Sequence, residues 1–248
     1  MSDKSTDFGF KSIPADEKAG RVRSVFDSVA ERYDLMNDLM SLGLHRVWKH
    51  FALEVAAVRP GERVLDLAGG TGDLARLLTR RLGTGGKVVL ADVNINMLER
   101  GRERLLDAGI VDGVDYVLAD AERLPFAAKT FDCICIAFGL RNVTRKTEAL
   151  KSMYGALRPG GRLLVLEFSR VTVPGLRALY DAYSFNVIPW LGRAVVNDAT
   201  SYRYLAESIR MHPDQKALQD MMEGVGFERC GYFNLTAGVV AVHRGYRV

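Results

Sequence analysis

The chain has 248 residues, 26% charged and 48% hydrophobic, with a formal net charge of +4. That length can bury a sizeable core in one domain, and a mean hydropathy of −0.01 fits an ordinary globular chain rather than a disordered or fibrous one. No run of about 18 apolar residues is present, so nothing reads as a membrane span, and the basic residues are spread along the chain instead of clustering, which argues against nucleic acid.

Residues 1–19 are polar and lack an apolar signal core, so they read as a flexible tail of a cytoplasmic protein, ahead of a single domain over residues 20–248. Two helical stripes follow within residues 20–59, one through Val22, Val25, Phe26 and Val29 and one through Leu44, Val47, Trp48, Phe51, Ala52 and Val55. Between them lies the polar and aromatic run from Glu31 to Asp38, which neither stripe requires. Helices placed before the first strand suit a lid over the strand ends. Tyr33, Asn37 and His45 are its polar groups expected to face a substrate, with a solvent-facing role open for each.

Pro60-Gly61 separates the lid from Val64-Leu65-Asp66-Leu67-Ala68-Gly69-Gly70-Thr71-Gly72-Asp73, a short buried strand, a glycine turn and a helix start. Three glycines in four positions let the backbone approach a ligand closely. Two cofactor classes fit the turn. The run from Gly70 to Ala75 formally matches a dinucleotide fingerprint, and Asp92 stands where a ribose-binding acid is expected. However, Asp73 at the helix N-terminus would repel a diphosphate and suits a cationic ligand such as S-adenosylmethionine (SAM), whose ribose Asp92 could also hold. Asp66 is either a cofactor contact or a structural acid near a strand end.

Strands are expected near residues 63–68, 87–92, 114–119, 131–138 and 162–168, with helices near 73–82, 95–108 and 146–157. Such alternation predicts a Rossmann-like α/β fold, a doubly wound and mostly parallel sheet of seven strands, with ligands outside the carboxyl ends of the strands. Asp92, Asp120-Ala121, Ala137-Phe138-Gly139 and Glu167 fall at those ends, and Asp120 could accept from an adenine amino group. Cys133 and Cys135 lie inside the apolar run from Phe131 to Phe138, so packing is favoured over bridging or metal binding. Beyond Glu167 a helical insertion over residues 170–212 carries a stripe through Leu176, Leu179, Tyr180, Tyr183 and Val187, ended by Pro189-Trp190. It suits a satellite core or an apolar substrate tunnel. Pro213 then opens a helix, and residues 227–235 and 238–244 read as an antiparallel hairpin, an addition expected of a methyltransferase sheet.

Three segments carry a resemblance. Residues 26–38, Phe138-Gly139-Leu140-Arg141-Asn142-Val143 and Arg158-Pro159-Gly160-Gly161-Arg162-Leu163-Leu164-Val165-Leu166-Glu167-Phe168, together with the glycine turn, resemble the ubiquinone/menaquinone biosynthesis C-methyltransferases from about Lys18 to Arg247. The resemblance implies methyl transfer from SAM to a ring carbon of a polyprenyl quinol. It places cofactor contacts on Thr71, Asp92, Asp120 and Ala121, beside Asp66 and Gly70 of the turn. Ala137 departs from the serine that proteobacterial relatives often carry, a hydrogen bond worth about 1 kcal/mol. A ring carbon needs a neighbouring hydroxyl to ionise, so Arg141 is expected to stabilise the phenolate, with a salt bridge to Asp120 or another loop acid as its alternative, and Tyr33 or His45 to shuttle the proton. Transient contact with a membrane surface is expected, and a homodimer or a place in a quinone-biosynthesis complex stays open. So do the rival readings, an NAD(P)-dependent oxidoreductase and a non-catalytic cofactor-binding subunit.

Overall fold

A computed structural model describes residues 5–29, 38, 41, 43–183 and 199–248. Seven strands form one sheet in the order β5-β4-β3-β6-β7-β9-β8. They are β3 (Arg63–Leu67), β4 (Lys87–Asp92), β5 (Val114–Leu118), β6 (Phe131–Ala137), β7 (Leu157–Phe168), β8 (Glu228–Leu235) and β9 (Val240–Tyr246). The first five pair in parallel, whereas β9 runs antiparallel between β7 and β8. The central strands are apolar on both faces because both are covered. On one face Val64, Leu90, Cys133, Cys135 and Leu164 pack under α1 (Ala15–Val29), α2 (His45–Ala56), α3 (Asp73–Leu82) and α4 (Ile95–Asp107). On the other, Leu65, Val89, Ile134 and Val165 pack under α5 (Lys146–Ala156) and α8 (Gln215–Val225). Between them in sequence lie α6 (Pro174–Ala182) and α7 (Ala199–Met211).

The expected doubly wound sheet and closing hairpin are therefore present, and the predicted strand and helix bounds agree within a residue or two except at β7. That strand begins at Leu157, which pairs with Phe131, and it shifts register before Arg162 meets Cys133. Its glycine segment is not free loop, because Arg247 NH donates to the Gly161 carbonyl at 2.8 Å.

Two expectations need correction. Residues 5–14 are no flexible tail: β1 (Ser5–Phe8) and β2 (Lys11–Pro14) form an antiparallel hairpin, and α1 begins at Ala15. So short a hairpin carries little pattern of its own and depends on docking. Here Phe8 stacks on Tyr204 of α7 at 4.2 Å, and Phe10 NH donates to Glu207 Oε2 at 3.1 Å. The second correction is the face of α2. Val47 is 63% exposed, while His45, Trp48, Lys49, Ala52 and Leu53 are buried. Burial of Lys49 is tolerated because its Nζ reaches Asp73 Oδ2 at 3.0 Å, and a polar residue on the inner face hides the stripe from a hydrophobicity count. Of the insertion stripe, Val187, Pro189 and Trp190 lie outside the described residues.

Candidate active site

The chain passes from β3 to β4 on one side and returns to β6 on the other, so the ends of β3 and β6 flank a topological switch point. Both strands end in strained backbone, with Ala68 at φ +52° and Phe138 at φ +56°. Left-handed geometry at a residue with a Cβ costs of order 1–3 kcal/mol and persists where the surroundings enforce it. The strands also meet closely, since a Cβ on Gly139 would lie 2.6 Å from that of Ala68. The result is an open cleft lined by Ala68, Gly70, Asp92, Asp120, Ala121 and Phe138 among others.

Asp92 is the most firmly placed of these groups. It ends β4, accepts from the Gly70 NH and the Asn94 NH at 2.9 Å each, and stands on the cleft wall. Burial pushes its carboxyl up, and the amides of Asn94, Gly70 and Val93 pull the other way. Asp120 accepts from the Glu122 NH at 2.9 Å through Oδ1, within the turn that brings Ala121 to the same wall. Val22, Arg23 and Phe26 of α1 complete the lining, so the first helix covers the strand ends as a lid would. It is tied there by Asp27 Oδ1, which accepts from Asn94 Nδ2 at 2.8 Å and Asn96 Nδ2 at 2.9 Å. Gly70, at φ +52°, leaves the floor bare: a Cβ there would approach Met97 Cε at 3.1 Å and Asp92 Oδ2 at 4.0 Å. A carboxylate acceptor held by amides, a bare glycine floor and apolar walls fit a nucleoside.

The other candidate residues lie elsewhere. Asp66 is fully buried in β3, where burial pushes its carboxyl up to about 7 and Lys49 opposes this. Thr71 is buried and borders a small recess with Asp73, Arg76 and Arg104. Ala137 is half-buried against the core. Asp73 corrects the electrostatic argument for a cationic ligand, since its carboxylate faces Lys49 at 3.0 Å and Arg104 at 3.2 Å instead of the cleft. Burial pushes that carboxyl up, but the cations outweigh it and hold it below the usual range.

His45 is buried with Nδ1 2.9 Å from Ser41 Oγ and 3.6 Å from Asp38 Oδ1, and it is not on the cleft wall. Burial and then Lys49 lower its pKa, which favours the neutral imidazole. Arg141 is 5% exposed and its Nη1 donates to Glu167 Oε1 at 2.8 Å. Glu167 also accepts from the Arg141 NH at 3.2 Å and the Phe168 NH at 2.9 Å. The partner of Arg141 is thus Glu167, not Asp120, and the guanidinium stands outside the cleft. Tyr33 and Asn37 fall outside the described residues. Sequence patterning missed Arg23 and Phe26 as lining, because on a helix they read only as surface and core.

A model of the ubiE/COQ5 methyltransferase family matches residues 14–247. The chain belongs to this family. Among its curated relatives, the ubiquinone/menaquinone biosynthesis C-methyltransferase UbiE of Methylococcus capsulatus is 62% identical over 247 residues, covering all of both chains. The protein of the same name from Pectobacterium atrosepticum is 59% identical, over 99% of this chain and 98% of its own. A SAM-dependent methyltransferase from Aquifex aeolicus superposes with a TM-score of 0.60 at 16% identity, over 81% of this chain and 89% of its own. Another from Thermotoga maritima gives 0.64 at 19% identity, over 91% and 99%. These structures show the fold, and family membership makes this chain a methyltransferase.

Proposed function

We propose that this member of the ubiE/COQ5 family transfers a methyl group from SAM to a ring carbon of a polyprenylated benzoquinol or naphthoquinol, in ubiquinone or menaquinone biosynthesis. The carrying observation is full-length identity of about 60% to relatives named for that reaction. The cleft supports it, because Asp92 offers a pre-oriented acceptor for a ribose diol and Asp120 an acceptor for an adenine amino group.

When bound, SAM supplies a methyl group on a sulfonium sulfur. The protein contributes position and dryness. Asp92 and Gly70 fix the nucleoside, and α1 excludes water while Asp27 holds it to the loop before α4. Arg141 is a positioning residue in this reading: through Glu167 it fixes the turn Leu140–Asn142 that carries Asn142 to the cleft wall. A phenol titrates near 10, so the ring hydroxyl must lose its proton with help from nearby charge. Tyr33 is proposed to take that proton. Among the described residues no helix is long and apolar enough to cross a membrane, so a polyprenyl tail would be met at a membrane surface.

Cells lacking the chain should accumulate a demethylated quinol, which names ring and reaction together. An unchanged quinone profile would overturn the reading. Calorimetry adds a second check, since the purified chain should bind S-adenosylhomocysteine and not NADH.

A further inference from the structure

A second cavity adjoins the cleft, and the two share Thr144. Its wall is assembled from separate pieces of the fold: Thr6 and Asp7 of β1, Lys18 of α1, Arg141, Lys146 at the start of α5, and Tyr204 of α7. Asp7 is the one acid among its lining residues, against three cations.

Lys18 is 3% exposed and makes no hydrogen bond or ion pair among the described residues. Burial pushes its ammonium down to about 8, with Lys146 adding to the effect and Asp7 opposing it. Lys146 donates to the Val143 carbonyl at 3.2 Å, and Arg141 keeps a buried Nε with no partner. Of the neighbouring carboxylates, Glu167 is engaged by Arg141 at 2.8 Å and Glu122 by Arg145 at 2.7 Å, which leaves Asp7 facing the three cations of the wall. His212, close to Lys146 and Arg141, is kept neutral chiefly by burial. A buried ammonium with no ion pair of its own, beside two further cations, is costly and is retained where an anion answers it. The N-terminal end of α5, which Lys146 begins, adds the positive end of a helix dipole.

We propose that this cavity is a binding site for a small oxyanion, held by Lys18 and Lys146, with Arg141 adding positive charge to its wall. Two sources share that chemistry, the ionised hydroxyl of the quinol ring reaching across from the cleft and a free inorganic anion. The first rests on the methyl-transfer reading above; the second does not.

The test uses the full chain with two probes, the phenolate of para-nitrophenol and inorganic phosphate, read by calorimetry and thermal shift. At least one probe should bind and raise the melting temperature. Lys18→Met should weaken that binding at least tenfold, and Lys18→Arg should keep it within a few-fold. Both variants should bind S-adenosylhomocysteine normally, which marks a folded protein because Lys18 does not line the cleft. Without anion, Lys18→Met should melt no lower than the parent, since an unpaired buried charge has been removed. If that variant does not fold, Lys146→Met takes its place with the same expected loss. Binding of the phenolate alone, displaced by a short-tailed quinol, assigns the site to the ring hydroxyl, whereas binding of phosphate assigns it to a free anion. Failure of both probes to bind, or equal binding to Lys18→Met, overturns the proposal and leaves the methyl-transfer assay untouched.

Discussion

Asp66 and Asp92 are both acids at strand ends, and burial acts on both. The difference is in their partners: Asp92 accepts from the Gly70 and Asn94 amides at 2.9 Å each, whereas Asp66, where Lys49 and the Ala75 amide only partly offset burial, rises to about 7. An acid whose folded pKa is raised binds more protons folded than unfolded, so stability falls as pH rises from about 4 to about 7, by up to about 1.4 kcal/mol per unit. Asp66→Asn should remove that fall and be the more stable protein at pH 8, with the difference shrinking towards pH 4. Urea melts across that range check it, and a variant equally destabilised at both ends would show that the carboxylate is needed in its charged form. Asp92→Ala should weaken S-adenosylhomocysteine more than tenfold, as loss of a charged acceptor worth roughly 1.5–3 kcal/mol requires. Calorimetry reads this directly, and unchanged affinity would move the nucleoside elsewhere. That Asp92, Asp120, Gly70 and Ala121 would share one wall was legible in sequence because strand ends and the turns after them fall on one edge of a parallel sheet. His45, Arg141 and Asp73 were not, because the partner that captures each one, Ser41, Glu167 or Lys49, is set by tertiary packing and leaves no local spacing to read.

The lid helix α1 lines the cleft through Val22, Arg23 and Phe26, but its attachment there is polar and local, through Asp27 to Asn94 and Asn96. Asn94 is also the N-cap of α4, its side chain accepting from the Asn96 and Met97 amides, and its own NH meets Asp92. One short chain of hydrogen bonds therefore joins lid, helix cap and candidate ribose acceptor. Asp27→Ala should raise the off-rate of S-adenosylhomocysteine by about three- to tenfold, the worth of roughly 1 kcal/mol, while the ligand-free protein melts near the parent. Stopped-flow dissociation measures it, and an unchanged off-rate would mean that α1 is held by its apolar face alone. Periodicity found α1 and α2 as helices but misjudged the inner face of α2, where Lys49 replaces an apolar residue. The hairpin β1-β2 escaped notice because its anchoring partners lie far along the chain, Glu207 being 197 residues from Phe10.

The cleft is bounded by β3, β4 and β6 from the sheet and by α1 from the N-terminal region, so a bound nucleoside would join parts of the chain that are distant in sequence. A ligand that binds only the folded protein stabilises it by about 2.7 kcal/mol at a hundredfold excess over its Kd. For a chain of this size that corresponds to a melting temperature higher by about 5–10 °C. S-Adenosylhomocysteine should produce such a shift in differential scanning calorimetry, and NADH none. The mostly parallel sheet and its closing hairpin were readable from the alternation of elements, which topology rules convert into a small set of arrangements. The second cavity was not, because its wall gathers residues from elements far apart in the chain and one of them, Lys18, sits in a stretch that composition alone assigns to a tail.

Strand β9 is the last of the sheet to leave the ribosome, yet its place is inside, between β7 and β8. Until Val240–Tyr246 has emerged, β7 carries an open edge and β8 has no neighbour, although every cleft-lining residue from Ala19 to Thr144 has already been made. An exposed parallel-sheet edge invites pairing with other chains. Nascent chains stalled just before residue 240 should accordingly be the species most inclined to aggregate and most dependent on chaperones, with the ligand-binding half formed and the sheet still unclosed.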